Sequence, residues 1–286
     1  MKKWIMFLVL LLPVGVLIPN APAQVCVYRK PITVRVLILK HSRERMADYD
    51  ANLAIRAVNN GASKGLAIKS VGNHFFTEPV ANDFAAILTN PDAKVRLQRF
   101  QEFVGQQMKI DAKPGDTFIV FTIGHGFYGG GLHNIGQRSD VMKALANAAG
   151  ENNQQTMWWQ LSCHASSNLP SLSDLPEPQR KLFSVVASSA AESTSSDGVQ
   201  GYVMDKLFSA LAQGSQAIDP NGDGLITASE LSAFFKGRDI PHDGGGPILF
   251  APTPNAVLFG SKSLDISIID RIGVQGTYPE DYIPSP

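Results

Sequence analysis

The sequence predicts an α/β sandwich in which a mainly parallel six-stranded sheet is flanked by helices. Apolar, β-branched runs alternate along the chain with segments of helical periodicity, and this alternation is typical of parallel sheets. Two of the runs end in residues capable of chemistry, His125 and Cys163. Ligands of such sheets bind beyond the carboxyl ends of the strands, so the candidate site is expected there.

The strands are predicted from short apolar runs that are bounded by turn-forming residues. Residues 117–123 are the clearest case, because the turn Lys113-Pro114-Gly115-Asp116 precedes them. The six candidate strands are residues 32–39, 66–71, 117–123, 158–162, 182–187 and 256–259.

The helices are predicted from apolar residues at helical spacing and from end signals. Gly61 is expected to end the first helix, Asn90-Pro91 and Ser139 to start the next two, and Gly150 to stop the third. Two more helices are expected at residues 202–212 and from about residue 228, whereas residues 165–182 are expected to be a loop. The predicted apolar faces are Met46, Tyr49, Leu53 and Ala57, then Leu97, Phe100 and Val104, then Val141, Leu145 and Ala148.

Composition excludes some classes of function. The 286 residues carry a formal net charge of zero, and 17% of them are charged. Without a basic run there is no reason to expect a nucleic-acid partner. With 44% hydrophobic residues the chain can bury a substantial core, as one large domain or two small ones.

The N-terminal residues 1–23 are predicted to be a secretory signal peptide. Lys2 and Lys3 precede an apolar run over residues 4–18, and Ala21-Pro22-Ala23 offers a small-x-small cleavage site. The run is shorter than a spanning helix needs. We therefore expect export to the periplasm or medium after cleavage near Ala23, without stable insertion in a membrane. Residues 24–261 would form the domain and residues 262–286 a C-terminal tail.

The chain has two cysteines, Cys26 and Cys163. Export permits a disulfide between them. The opposing interpretation is a reactive thiol at Cys163, because Cys26 lies three residues beyond the cleavage site, where chains are usually mobile, and Cys163 ends a strand.

His125 and Cys163 together suit acyl transfer. An imidazole beside a thiol favours the thiolate and can then protonate the leaving amine. The backbone N–H groups of Gly126 and Cys163 are candidate donors to the oxyanion that develops in the reaction. His133 and His164 are alternative bases, although His164 directly follows the nucleophile and adjacent strand side chains point to opposite faces.

Three segments resemble caspase-like cysteine peptidases, the group that includes caspases, metacaspases and legumains. Residues 114–126 are similar to the family's histidine strand, which has a Gly-Asp turn, an apolar run and then Ser/Thr-Gly-His-Gly or a close variant. Ser162-Cys163-His164-Ala165 is similar to the metacaspase Cys-His-Ser-Gly element, and residues 185–193 to the Ala/Ser-rich segment that follows the legumain nucleophile. The order of elements agrees up to about Phe259.

The resemblance implies a three-layer sandwich and a cysteine endopeptidase with a His125/Cys163 dyad. It implies that the oxyanion is bound by the amides of Gly126 and Cys163. It also implies a peptide or protein substrate and leaves the oligomeric state open. The implied pocket walls are His41, Ser42 and Arg43, then residues 188–193 with Ser188, Ser189 and Glu192.

Leu161 departs from the family pattern. The family usually has an acidic residue or Gln two positions before the cysteine, where it helps read the substrate side chain before the scissile bond. An apolar Leu161 cannot pair with Arg there, so a preference for Arg or Lys does not follow. Glu192 is an alternative source of charge.

Residues 219–230 match the twelve-residue EF-hand calcium loop. The alternative is a tight turn rich in Asx residues that caps a helix near Ala228 and binds nothing. If calcium binds, its role is expected to be structural or to order the loops beside the active site, and no organic cofactor is expected. The predicted ligands are Asp219, Asn221, Asp223, Leu225 through its carbonyl, Thr227 through water, and Glu230, with Gly224 at the sharp turn.

Two other functions compete with the peptidase. Gly61-Ala62-Ser63-Lys64-Gly65 matches the serine-hydrolase pattern, but that nucleophile elbow requires a strand before it and a helix after it, and here the order is reversed. The second alternative is a calcium-stabilised, catalytically inactive caspase-like module that binds peptides or proteins.

Overall fold

The computed structural model describes residues 32–76, 82–127, 131–136, 139–188, 199–236, 248–251 and 254–260. The predicted signal peptide and C-terminal tail lie outside these residues. Within them, no helix is long and apolar enough to cross a membrane.

Sixteen helical and strand segments are described. The strands are β1 Val34–Lys40, β2 Ile68–Phe75, β3 Thr117–Ile123, β4 Gln155–Leu161, β5 Phe183–Ala187, β6 Leu225–Thr227, β7 Ile248–Phe250 and β8 Val257–Gly260. The helices are α1 Arg45–Ser63, α2 Asp83–Leu88, α3 Ala93–Lys109, α4 Ser139–Glu151, the 3₁₀ helix Ala165–Asp174, α5 Glu177–Leu182, α6 Val199–Gln213 and α7 Ala228–Phe235.

The main sheet has six strands in the order β2-β1-β3-β4-β5-β7. The first five are parallel, and β7 adds to β5 as an antiparallel edge strand. The predicted α/β sandwich with a mainly parallel sheet is therefore confirmed.

The sixth strand of this sheet is not the one that the sequence predicted. The apolar run at residues 256–259 becomes β8, which pairs antiparallel with β6 in a separate two-stranded sheet. The edge position is taken by β7, whose three residues are too short to give a clear alternating pattern.

Two apolar layers cover the two faces of the sheet. One packs α2, α3, α4 and the 3₁₀ helix against residues such as Phe118 and Trp158. The other packs α1, α6 and α7 against residues such as Phe121 and Trp159. Successive residues of a strand point to opposite faces, and β3 and β4 are therefore buried on both faces over nearly all of their length.

The predicted apolar face of α1 is wrong in part. Tyr49 is 50% exposed, whereas Ala57 is buried as predicted. The rest of the buried face is formed by Ala47, Ala51, Ala54 and Val58. Small residues let α1 lie close to α6, and burial at a close contact follows residue size more than hydrophobicity.

The predicted helix ends also shift. Gly61 lies inside α1, where a Cβ would be 3.3 Å from the Cβ of Phe208 on α6, and α1 continues to Ser63. The helix α3 begins after Asp92 rather than at Asn90-Pro91, because the Asp92 carboxylate accepts hydrogen bonds from two amides of the first turn. Gly150 lies inside α4, which ends at Glu151.

Two helical segments occupy a stretch that was expected to be a loop. Residues 165–182 form the 3₁₀ helix and α5. Their Ser and Pro content suggested a loop, but Leu172 and Leu175 are buried in the core, and this packing stabilises the helical turns.

Candidate active site

The register of β3 and β4 brings the two chemical residues to the same edge of the sheet. The strands are parallel and adjacent, and their last paired residues are Ile123 and Leu161. The amide of Gly124 donates to the carbonyl of Leu161 at 3.2 Å, which extends the contact one residue further. His125 and Cys163 each follow two residues after that last pair.

Gly126 lies directly against the backbone of Cys163. A Cβ added at Gly126 would be 2.0 Å from the Cys163 carbonyl oxygen and 2.8 Å from the Oγ of Ser162. Distances this short leave no space for any side chain. The loop that carries the histidine and the turn that carries the cysteine are thus in contact.

Cys163 has a free thiol and is partly buried. Cys26, its proposed disulfide partner, lies outside the described residues. Hydrogen bonds fix the residue just before Cys163. The Oγ of Ser188 accepts from the Ser162 amide and donates to the Ser162 carbonyl, both at 3.1 Å. Gln160 also donates to the Oγ of Ser162 at 2.8 Å.

His125 is solvent-accessible, with its side chain 59% exposed. Its Nε2 lies 3.4 Å from Oε1 of Glu44, a residue between β1 and α1. Glu44 is not among the site residues predicted from the sequence. A carboxylate just beyond the carboxyl end of the first strand was the signal that could have indicated it.

The loop after His125 is tied back to the end of β1. The His133 amide donates to the His125 carbonyl at 3.0 Å, and the His133 carbonyl lies 2.8 Å from Nδ1 of His41. Asn134 in turn donates to the His41 carbonyl at 3.0 Å. These contacts fix the backbone around His125 to the neighbouring strand.

His41 is fully buried at the end of β1. Burial lowers the pKa of its imidazole to about 3 and outweighs the hydrogen bond with the His133 carbonyl, which raises the pKa. The nearby His133 and His125 rings lower it slightly further. The ring is therefore neutral at ordinary pH, and its Nδ1 donates to the His133 carbonyl.

The residues predicted to line the substrate pocket lie in different surroundings. His41, Ser42 and Ser188 are buried, and Leu161 is only 3% exposed within the core layer. Arg43 is exposed, with its guanidinium carbon 4.3 Å from the centre of the Phe76 ring. Ser189 and Glu192 lie outside the described residues. Their roles in binding substrate stay predictions.

The alternative bases flank the site. His133 is exposed and lies edge-on to Phe127, with ring centres 5.6 Å apart. His164 takes a left-handed backbone conformation, with φ 57°, at the start of the 3₁₀ helix. The Gly-x-Ser-x-Gly segment contains the last residues of α1 and the turn before β2, so a helix comes first and a strand follows, which is the reverse of a nucleophile elbow.

The side chains of the predicted calcium loop bond to the loop's own backbone. Asp219, which is nearly buried, accepts from the Gly224 amide at 3.0 Å. Asn221 accepts from the amide of Asp223, and Asp223 from the amide of Leu225. In the described part of the chain, no group of three or more His, Cys, Asp or Glu side chains is arranged to hold a metal ion.

The end of this loop starts α7. Thr227 and Glu230 form a capping box, in which each side chain bonds to the other residue's backbone amide. The strand β6, at Leu225–Thr227, joins the loop to β8. The sequence therefore correctly placed the start of the helix at Ala228.

No family model and no curated protein matches the chain. Among solved structures, the chain is similar to the crystal structure of drICE, a caspase, at 15% sequence identity and a TM-score of 0.41. The match covers 79% of this chain and 90% of drICE. A similarity of this size leaves the function of the chain open.

Proposed function

We propose that this chain is a caspase-like cysteine endopeptidase in which Cys163 is the nucleophile and His125 the acid–base residue. The observation that carries the proposal is the register of β3 and β4. Their last residues, Ile123 and Leu161, are paired, so both strands end at the same edge of the sheet. The contact of Gly126 with the Cys163 backbone gives further support, because it links the two loops directly.

The reaction follows from the chemistry of the pair. The Cys163 sulfur attacks the carbonyl carbon of the scissile peptide while His125 takes the thiol proton. The C–N bond then breaks, and the imidazolium gives its proton to the leaving amine. Water, deprotonated by His125, attacks the resulting thioester, which releases the acid and restores the thiol. The amides of Gly126 and Cys163 are the proposed donors to the oxyanion in both steps.

Turnover of a positional peptide library by purified protein tests the proposal. Wild type should cleave a subset of peptides, whereas Cys163→Ala should not. Cys26→Ala removes the other cysteine of the chain and should keep wild-type turnover. Equal turnover by Cys163→Ala would refute the assignment of the nucleophile.

Thiol reactivity tests the role of His125 separately. Iodoacetamide should alkylate Cys163 faster in wild type than in His125→Ala, by about tenfold, because a neighbouring imidazole favours the thiolate. Mass spectrometry of the peptide that carries Cys163 measures the rate. Equal rates in the two proteins would mean that the imidazole does not act on the thiol.

Calcium binding at residues 219–230 remains a second proposal. Its support is the spacing of oxygen donors, which suit a hard cation, and the positive φ of 72° at Gly224, which gives the sharp turn. The proposed ligands are Asp219, Asn221, Asp223, Leu225, Thr227 and Glu230.

Titration calorimetry decides the calcium proposal. Glu230→Gln is an informative variant because Gln can keep the capping box while the negative charge is lost. Wild type should release heat on calcium addition, and the variant should bind more weakly. A wild-type protein that gives no heat would end the proposal.

Export is the third proposal and rests on residues 1–23. The protein expressed with its own N-terminus should appear outside the cytoplasm, and its mature chain should begin at Gln24. N-terminal sequencing of the exported protein measures this, and a chain that still begins at Met1 would contradict it.

A further inference from the structure

Phe127 is an aromatic side chain that lies exposed beside the candidate active site. It is 47% exposed, and in the described part of the chain two other large hydrophobic side chains are similarly exposed, Tyr49 and Ile110. Tyr49 lies on α1, and Ile110 follows α3. Single exposed apolar side chains are common on protein surfaces. The position of Phe127, two residues after His125, therefore carries the inference rather than its exposure.

Backbone hydrogen bonds hold Phe127 in place. The Phe127 amide donates to the Gly131 carbonyl at 2.9 Å, and the His133 amide donates to the His125 carbonyl at 3.0 Å. These two bonds make a short antiparallel ladder that continues from the loop after β3. Because both bonds join backbone atoms, a substitution that shortens the Phe127 side chain leaves the ladder in place.

Three rings lie on the outer face of this ladder. Side chains alternate along an extended chain, so His125 and Phe127 share one face and Gly126 lies on the other. Gly126 forms a bridge with Leu132, which is fully buried. His133 is exposed, and its ring lies edge-on to Phe127 with centres 5.6 Å apart. Aromatic side chains reach such diagonal neighbours across a pair of strands, and the three rings form one accessible surface.

The proposed reaction decides which half of a substrate lies over this surface. His125 gives its proton to the leaving amine, which must therefore come within about 3 Å of the imidazole. Two residues of extended chain span about 7 Å, so the Phe127 ring lies about one side-chain length from the imidazole. The substrate residue that carries the leaving amine is thus the one whose side chain reaches Phe127.

We propose that Phe127, with His133 beside it, binds the side chain of the substrate residue that follows the scissile bond and selects an apolar or aromatic side chain there. The inference rests on the proposed peptidase function and gives its preference on the leaving side of the bond. Phe127 supplies apolar area that a substrate side chain can bury. The ring pair also offers the tilted contacts that aromatic side chains favour, whereas an acidic side chain would lose hydration there.

Peptides that differ at one position test the proposal. A library peptide that wild type cleaves is resynthesised with Phe, Leu, Gly, Asp or Lys after the scissile bond. Wild type should cleave the Phe and Leu peptides with a kcat/KM about tenfold above that of the Gly peptide, since one apolar contact contributes roughly this factor. The ratio should fall below about twofold in Phe127→Ala and be kept in Phe127→Tyr, which retains the ring.

Ile110→Ala is the matched control. Ile110 is 40% exposed, and its carbonyl accepts from the guanidinium of Arg35 near the amino ends of the strands. The variant removes a comparable exposed apolar side chain and keeps that carbonyl. Its ratio of Phe to Gly turnover should equal that of wild type, and an equal fall in this control would mean that the effect does not arise at Phe127.

Capture of the acyl group by added amines measures the same surface from the other direction. The amine nitrogen forms a C–N bond with the thioester carbonyl, the C–S bond breaks, and the amine proton passes through His125 to the Cys163 sulfur. At equal free-base concentrations, phenylalanine amide should capture about tenfold more acyl group than glycine amide in wild type, and about as much in Phe127→Ala. Mass spectrometry of the products gives this ratio, which does not depend on the amount of folded protein.

Equal kcat/KM for the Phe and Gly peptides in wild type, or an unchanged ratio in Phe127→Ala, would overturn the inference. A preference for Lys that is lost in Phe127→Ala would overturn it as well, because the contact would then be a cation–π interaction. Cys163→Ala separates the two levels of failure. If that variant is inactive and wild type cleaves all five peptides equally, only the preference fails. Turnover by Cys163→Ala, or no turnover by wild type, refutes the peptidase itself.

Discussion

Among single residues, Gly126 has the strictest steric requirement near the candidate site. The position of its missing Cβ is 2.0 Å from the Cys163 carbonyl oxygen, which is far inside van der Waals contact. Gly126→Ala should therefore separate the two loops and destabilise the fold by about 1–3 kcal/mol, the usual cost of overpacking. Urea unfolding gives the free energy, and peptide turnover should fall strongly in the same variant.

Gly105→Ala is a control with the opposite expectation. Gly105 lies inside α3, and a Cβ there would be 3.5 Å from the nearest heavy atom, Nδ2 of Asn152. Because glycine is a poor helix former, this variant should be more stable by about 0.5–1 kcal/mol. If Gly126→Ala keeps wild-type stability and activity, there is room for a side chain at position 126. That result would contradict the close contact of Gly126 with the Cys163 backbone.

The buried His41 predicts how stability depends on pH. Its folded pKa is lowered to about 3, from an ordinary value of 6.5, so the unfolded chain binds a proton more readily than the folded one. The stability contributed by the neutral ring is present in full above pH 6.5 and is lost as pH falls. Between pH 6.5 and pH 5 the free energy of unfolding should drop by about 2 kcal/mol.

Unfolding in urea at several pH values measures this slope. Burial also lowers the pKa of His74, which adds a contribution of the same sign. His41→Asn can still donate to the His133 carbonyl but does not titrate, so its slope should be clearly flatter than that of wild type. An unchanged slope in His41→Asn would show that the ring is not buried and neutral.

At the scale of elements, the start of α3 shows that hydrogen bonds from one capping side chain can determine where a helix begins. Oδ1 of Asp92 accepts from the amides of Lys94 and Val95 at 2.8 and 3.2 Å. Asp92→Ala should cost about 1 kcal/mol of stability, as the loss of a helix cap usually does. Asn90→Ala removes a single contact, to the Asp92 amide, and should cost less. Thermal unfolding measures the loss of stability in both variants. A larger loss for Asn90→Ala would mean that Asn90, rather than Asp92, is the main cap of α3.

The elements also show what the sequence could predict and why. The bounds of β3 agree with the predicted residues 117–123, because a Pro-Gly-Asp turn and Gly-His-Gly delimit an uninterrupted apolar run. Most of the buried face of α1 was missed, because that face is made of alanines, and Gly61 lies against α6. Such packing depends on the distance between helices, which hydrophobic periodicity does not encode.

The candidate site likewise contains residues that the sequence could predict and contacts that it could not. His125, Gly126 and Cys163 were predicted because each follows a strand that could be recognised locally. The contact of Glu44 with His125 depends on the neighbouring positions of β1 and β3 in the sheet. The burial of His41 depends on the loop at residues 131–136 folding back over it. Contacts between distant segments leave no local pattern in the sequence.

In the whole molecule, the two ends of the main sheet carry different groups of residues. At the carboxyl ends lie His125 and Cys163, partly accessible to solvent. At the amino ends lies a buried polar cluster centred on Arg35, near the start of β1. Its Nε is 3.4 Å from the Asp116 carboxylate just before β3, and its Nη1 donates to the Met108 and Ile110 carbonyls at 2.6 and 3.0 Å. Gln154, just before β4, accepts from the same guanidinium.

This cluster should stabilise the fold without taking part in the chemistry. Arg35→Met leaves the nearly buried Asp116 without its cation, so the free energy of unfolding should fall by about 3–5 kcal/mol. Arg35→Met with Asp116→Leu should recover part of the loss, because an apolar pair of similar volume can replace a buried ion pair. Lys69→Met, which breaks the exposed pair with Asp111, should leave the free energy of unfolding almost unchanged, because solvent screens exposed pairs.

Urea unfolding and peptide turnover, measured together, separate the two ends of the sheet. Turnover is expressed per folded molecule, with the folded fraction taken from the urea unfolding curve of each variant. Arg35→Met should retain the wild-type kcat below its unfolding transition, since the cluster lies a full strand length from Cys163. Cys163→Ala should show the opposite pattern, with wild-type stability and no turnover. A kcat that falls in proportion to stability in Arg35→Met would mean that the amino ends of the strands control the geometry at the carboxyl ends.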